Sequence, residues 1–182
     1  MNNFLVTGCA GFIGSHLTEA LLSKKNKVIG IDNLSNGKIK NITSFQDNKS
    51  FSFINCDINN DEISYILDEI DVVYHLAALA DIVPSIQKPS EYFWSNVNGT
   101  FNLIKNCNNK KIKKFIYAAS SSCYGIPEVY PTPESSPINP QYPYALTKRL
   151  GEEVVIHFGK IFSIPTVSLR LFNVYGPRAR TS

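Results

Sequence analysis

Phe4-Leu5-Val6-Thr7-Gly8-Cys9-Ala10-Gly11-Phe12-Ile13-Gly14 is the stretch that decides the fold. A short apolar run, suited to a buried strand, breaks into glycines and then into a helical pattern from about Phe12 to Lys24. Without a Cβ, the backbone at such a turn bends sharply and brings its N–H groups close to a ligand. A helix starting at Phe12 turns its unpaired first N–H groups and the positive end of its dipole toward the same place. The stretch therefore predicts strand, turn and helix, with an anion held at the turn.

The glycines fall at 8, 11 and 14, a variant of the G-x-G-x-x-G spacing that holds dinucleotide pyrophosphates. On their own they fit an ordinary α/β unit with packing glycines equally well. The next apolar run, Lys27 to Ile31, ends at Asp32, where a carboxylate accepts the two ribose hydroxyls of an adenosine and repels a 2′-phosphate. With no Arg near Asp32 in sequence, NAD is expected over NADP.

Further along, Asn33 to Ser50 reads as a polar loop or short helix, and Phe51 to Asn55 as a third strand running into Cys56-Asp57-Ile58. Asp57 is placed either to accept from an adenine amino group or to cap the following helix, and both stay open. Ile63, Ile66, Leu67 and Ile70 recur at helical spacing, and Asp71 to Ala78 predicts a fourth strand ending in small residues that admit a cofactor. His75 within it is expected to be packed and hydrogen-bonded, not catalytic. Pro89 to Cys107 predicts one helix, Phe115 to Ala119 a fifth strand leading into Ser120 to Gly125, Pro143 to Phe162 another helix, and Pro165 to Arg170 a sixth strand. The Pro-rich segment between Pro127 and Pro143 is either a rigid surface loop or one wall of a substrate cleft. Alternation of this kind implies a doubly wound α/β fold with a parallel sheet, its ligands beyond the carboxyl ends of the strands.

At 182 residues and 43% hydrophobic content, with no internal repeat or flexible linker, the chain is expected to form a single domain. A net charge of +3 is too small to imply a nucleic-acid or membrane partner, and the cluster Lys110-Lys111-Ile112-Lys113-Lys114 reads as a solvated loop. The amino terminus has none of the features of a secretory signal, and the longest apolar run, Val72 to Ala80, is interrupted by His75 and too short to span a bilayer. Cys9, Cys56, Cys107 and Cys123 lack metal-ligand or C-x-x-C spacing and read as reduced thiols of a cytoplasmic protein, with no metal site.

Tyr144 and Lys148 sit four apart on a predicted helix and so share one face. An ammonium beside a phenol stabilises the phenolate and is expected to lower the Tyr144 pKa, which would make it a usable base. None of the other eight tyrosines has Lys or Arg at the same offset. The pair also follows the glycine turn, Asp32 and a serine-bearing strand end, in the order a hydride-transfer site requires.

Taken together, Gly8-x-x-Gly11-x-x-Gly14, Asp57-Ile58, His75-Leu76-Ala77-Ala78, Asn96-Val97-Asn98-Gly99-Thr100, Ser120 to Gly125, Tyr144-x-x-x-Lys148 and Asn173-Val174-Tyr175-Gly176-Pro177-Arg178 resemble the extended short-chain dehydrogenase/reductases that act on nucleotide sugars. Ala119-Ser120-Ser121-Ser122-Cys123-Tyr124-Gly125 is similar to the UDP-hexose 4-epimerase version, particularly the kind acting on UDP-N-acetylhexosamines.

The resemblance implies a Rossmann sheet and NAD held by Gly8, Gly11, Phe12, Ile13, Gly14, Asp32, Asn33, Asp57, Ile58, Leu76, Ala77, Ala78, Asn96, Tyr144 and Lys148. It further implies that Tyr144 takes the sugar 4-hydroxyl proton, Ser120 hydrogen-bonds the same oxygen and Lys148 holds the nicotinamide ribose. Ser121 and Ser122 would line the UDP-sugar site, Asn96 would brace it and Asn173 would meet the substrate pyrophosphate. Relatives that are 4,6-dehydratases carry an Asp-Glu pair where this chain has Ser121 and Ser122, and the decarboxylases usually carry Glu at the second position, so both activities are disfavoured. The resemblance also implies a homodimer through the helices near Pro89 and Pro143. Family members have a further carboxy-terminal domain over the nucleotide sugar, and most of it is missing here. A dinucleotide-binding fragment without turnover is therefore the second expectation.

Overall fold

A computed structural model describes residues 2–59 and 61–179. Six strands form one parallel sheet: β1 (Asn3–Thr7), β2 (Lys27–Asp32), β3 (Phe51–Asn55), β4 (Val72–His75), β5 (Lys114–Ser120) and β6 (Thr166–Leu171). Their spatial order is β3-β2-β1-β4-β5-β6, so the chain steps outward from β1 in one direction, returns, and steps outward in the other. Thr7 at the end of β1 pairs in register with Ile31 on one side and His75 on the other. A crevice opens where the winding reverses, above the β1 and β4 ends.

Alternation along β1 explains why the sheet needs a layer on both faces. Leu5 points into a core with Ile31, Val73, Leu103, Phe115 and Val155, whereas Phe4 and Val6 point into one with Leu21, Leu22, Ile42 and Phe45. The first core is roofed by α4 (Gly99–Asn106), α5 (Pro143–Ile161) and a 3₁₀ segment, Asp61–Leu67; the second by α1 (Phe12–Ser23) and short 3₁₀ turns at Ile39–Asn41 and Thr43–Phe45. Truncating a fully buried residue such as Leu5 to Ala would cost about 2–5 kcal/mol.

Several boundaries differ from the sequence expectation. The apolar period near Ile63 is wound as 3₁₀. β4 stops at His75, beyond which the Leu76 N–H is shared between the Thr7 carbonyl and hydroxyl and the Ala77 N–H turns to the Thr7 hydroxyl (all 3.2 Å). A short helix, α2 (Ile82–Gln87), precedes the one expected from Pro89 and carries Pro84 in its first turn. Pro is tolerated in a first turn, whose N–H groups have no intrahelical acceptor. The helix expected from Pro89 is α3 (Pro89–Tyr92), a π-helical stretch, Phe93–Asn98, and then α4.

Candidate active site

The glycine turn is packed too tightly for side chains. Gly8 has φ +71°, and a Cβ there would lie 2.9 Å from the Ala77 nitrogen; one on Gly14 would lie 2.0 Å from the Gly8 carbonyl oxygen. Gly11 N-caps α1 without a side-chain hydrogen bond, and the first turn carries no acidic residue. Its leading N–H groups are thus left to a ligand, an arrangement suited to a pyrophosphate.

Two adjoining clefts open from this turn, both touching Phe12, Leu76, Ala78 and Ala80. The first, about 380 Å³, is lined by Gly8, Gly11, Phe12, Asp32, Asn33, Asp57, Ile58, Leu76, Ala77 and Ala78 among the residues expected for the cofactor. The second, about 740 Å³, brings together Phe12, Ile13, Ser120, Ser121, Ser122, Tyr144, Lys148 and the exposed Asn173. Tyr124, Pro127, Tyr130 and Thr132 line it too, so part of the Pro-rich segment is a cleft wall. Gly14 and Asn96 line neither cleft.

At the first cleft, the Asp32 carboxylate is nearly buried and accepts from the Ala10 and Leu34 N–H groups (2.9 and 2.8 Å). Burial raises its pKa against the pull of those two hydrogen bonds. Asp57 feels the same burial, but hydrogen bonds from the Asn59 N–H and the Asn33 and Asn59 side chains outweigh it, and its net shift is downward. The Asn59 contacts close a turn at that residue. The glycines, the uncapped helix and the carboxylate at the β2 end together fit a dinucleotide.

The second cleft holds a hydroxyl chain. Ser120 and Ser122 Oγ are 2.7 Å apart, and the Tyr144 side chain lines the same cleft. Lys148, on the same face of α5, is only 4% exposed, and its Nζ lies over the Tyr117 ring at 4.4 Å from the centroid. Burial pushes the ammonium down to about 7, opposed by Glu152 one turn further along α5.

The expectation for Tyr144 is corrected here. Burial raises its pKa, Ser120 pulls the other way, and the Lys148 charge does not set the direction. The ammonium faces Tyr117, not the phenol oxygen alone.

Behind the clefts, buried polar groups fix the backbone. Asn96 is fully buried in the π-helical stretch, which is where such widened turns often occur. Its side chain accepts from the Leu79 N–H (2.8 Å) and donates to the Leu79 carbonyl (2.9 Å) and Thr147 Oγ1 (3.1 Å). It braces the wall, with both amide hydrogens engaged. His75 is packed, as expected, between Thr7 (2.8 Å) and Thr100 (2.9 Å). The Thr7 oxygen already accepts two backbone N–H groups, so its hydroxyl donates to His75 Nδ1, and Nε2–H donates to Thr100. Burial holds the ring neutral, its pKa down to about 3.

Some residues at the site were given no role from sequence. Lys38, Lys40 and Arg178 line the first cleft. Glu152, 3% exposed, accepts from Arg170 Nε (3.0 Å), Ser168 Oγ (3.0 Å) and Arg149 Nη1 (3.2 Å) behind Lys148. Its offset of four from Lys148 was an available signal; the Arg178 placement, 159 residues from its Glu19 partner, was not. Among the described residues, no group of His, Cys, Asp and Glu is placed to hold a metal, and no helix is long and apolar enough to cross a membrane.

Known proteins are similar to this chain in sequence and fold. The UDP-glucose 4-epimerase of Mycolicibacterium smegmatis is 36% identical over 177 residues, covering 96% of this chain and 56% of the relative. The UDP-glucuronic acid 4-epimerase of Bacillus cereus, in complex with UDP-glucuronic acid and NAD, superposes with a TM-score of 0.93 at 42% identity, covering 98% of this chain and 59% of that one. The UDP-N-acetylglucosamine 4-epimerase of Methanobrevibacter ruminantium gives 0.92 at 39% identity, covering 97% and 56%. The chain thus spans a little over half the length of these relatives. Residues 4–182 match the NAD dependent epimerase/dehydratase family, and with the dinucleotide cradle at Gly8 to Gly14 and the serine, tyrosine and lysine gathered above it, the chain belongs to that family, whose cofactor is NAD.

Proposed function

We propose that this chain carries the reaction centre of a UDP-hexose 4-epimerase. The observation that carries the proposal is the convergence of Ser120, Tyr144 and Lys148 in one cleft adjoining the glycine turn, with Ser121 and Ser122 where a dehydratase would need carboxylates.

Tyr144 takes the proton of the sugar 4-hydroxyl, while Ser120 hydrogen-bonds that oxygen and Ser122 holds Ser120 in place. NAD, when bound, supplies the hydride acceptor and returns the hydride. Lys148 meets the nicotinamide ribose, and Gly8 to Gly14 with Asp32 anchor the other end of the cofactor. After the 4-keto sugar turns over, Tyr144 returns its proton to the opposite epimer. Asn173, on the cleft wall, is assigned to the substrate pyrophosphate.

Incubation with UDP-glucose, UDP-galactose and their N-acetyl forms, with products read by NMR, tests the proposal on this chain and on a version extended to the length of its relatives. Interconversion by the longer version, abolished in Tyr144→Phe, is expected. A 4-keto-6-deoxy sugar or a pentose as product contradicts it. The second reading, an NAD-binding module without turnover, applies to the 182-residue chain itself: remote contacts to the uridine supply much of the positioning at the reacting carbon. Full activity of the short chain overturns that reading.

The proposal includes a homodimer in the cytoplasm. Trp94 (58% exposed), Phe93 and Phe101 on the helical face from Pro89, with Leu146 on α5, support a paired helical interface. Four unpaired cysteines support a reducing compartment. Light scattering that shows only the 20.3 kDa monomer at micromolar concentration contradicts the dimer.

A further inference from the structure

We propose that Arg178 is a cofactor-binding residue that supplies the cationic contact to the dinucleotide pyrophosphate. The glycine turn itself offers only neutral N–H donors and a helix dipole. Arg178 lines the same cleft as Gly8, Gly11 and Phe12, and its Nη2 is held by Glu19 Oε2 at 2.7 Å. Its Nη1 is buried and, among the described residues, has no hydrogen-bond partner. A guanidinium is a planar fork that fits phosphate oxygens, and here one arm is fixed while the other is left to a ligand.

The segment carrying it is fastened along α1. His16 Nε2 donates to the Pro177 carbonyl (2.8 Å), and Gly176 lies against Phe12, whose ring a Cβ would approach to 3.5 Å. Arg178 itself has φ +65°, a conformation uncommon for a residue with a side chain and found disproportionately at ligand sites. Glu19 sits two turns into α1, and the ion pair fixes the guanidinium beside that helix, at the edge of the first cleft.

The inference rests on the assignment of the first cleft to NAD. Wild type, Arg178→Gln, Arg178→Lys and Glu19→Gln are titrated with NAD by calorimetry and with adenosine, which lacks the pyrophosphate, by NMR; thermal melts check that each variant is folded. Arg178→Gln should weaken NAD on the order of tenfold and leave adenosine unchanged. Arg178→Lys keeps the charge but loses the fork and should weaken NAD about threefold. It carries the test should the glutamine variant fail to fold. Glu19→Gln should affect NAD less than Arg178→Gln does. Unchanged NAD affinity in the Arg178 variants, equal loss of NAD and adenosine, or a loss in Glu19→Gln as large as in Arg178→Gln overturns the proposal. A wild-type chain that binds adenosine and NAD equally weakly overturns the cofactor assignment itself, and this proposal with it.

Discussion

Replacing Lys148 with methionine should stabilise the folded chain, by an amount that depends on pH. The lysine amine is nearly inaccessible against the Tyr117 ring, and burial pushes its pKa from 10.5 to about 7 despite Glu152. Because the folded pKa is depressed, the unfolded chain binds the extra proton between pH 7 and 10.5, and stability rises with pH across that window. Below pH 7 the full penalty of the desolvated charge is present; above 10.5 it is gone. At about 1.4 kcal/mol per pH unit, the wild-type penalty is roughly 5 kcal/mol at pH 6 and about 2 kcal/mol at pH 9. Methionine is similar in length and uncharged, so it escapes the penalty at both. His75, which the Lys148 charge also pushes down, stays neutral in the folded chain across this range, and the stability gap between the two proteins should therefore shrink by about 3 kcal/mol from pH 6 to pH 9. Urea unfolding followed by circular dichroism at the two pH values measures it. A gap that does not change with pH, or a methionine variant less stable at pH 6, would refute the argument that Lys148 is held in place at the expense of its charge.

Three further substitutions test the cradle and its support. Asp32→Ala should narrow the preference for NAD over NADP, the more so because Lys38 and Lys40 share that cleft; wild-type chain that binds NADP as tightly as NAD contradicts the role given to Asp32. Gly14→Ala places a Cβ 2.0 Å from the Gly8 carbonyl oxygen and should cost about 1–3 kcal/mol or more and remove NAD binding. Wild-type melting and NAD affinity would show that the turn relaxes freely. His75→Phe strips the Thr7 and Thr100 hydroxyls of their ring partners and should cost about 1–3 kcal/mol for each. His75→Gln, which can donate and accept, should recover part of it, and equal urea midpoints for the phenylalanine variant and wild type would argue against the buried network.

What the sequence by itself determined lies in local patterns whose chemistry needs no knowledge of the surroundings. Gly8, Gly11 and Gly14 after an apolar run dictate a turn that no Cβ would permit, and Asp32 closes the next strand beside it. Tyr144 and Lys148 share a helix face at any point in a fold. Alternation of strands and helices then leaves a parallel sheet as the way to bury both faces. Tertiary structure alone decided the electrostatics and the long-range partners. Whether Tyr144 is pushed up or down depends on how much water the packed cleft removes, and burial there outweighs the lowering pull of Ser120. Lys148 meets the ring of Tyr117 from β5, and Asn96 reaches Leu79 and Thr147 from a widened turn. Arg178 finds Glu19 across 159 residues. Desolvation and charge pairing are properties of a surrounding assembled from segments distant in the chain, and residue spacing within one segment does not encode them.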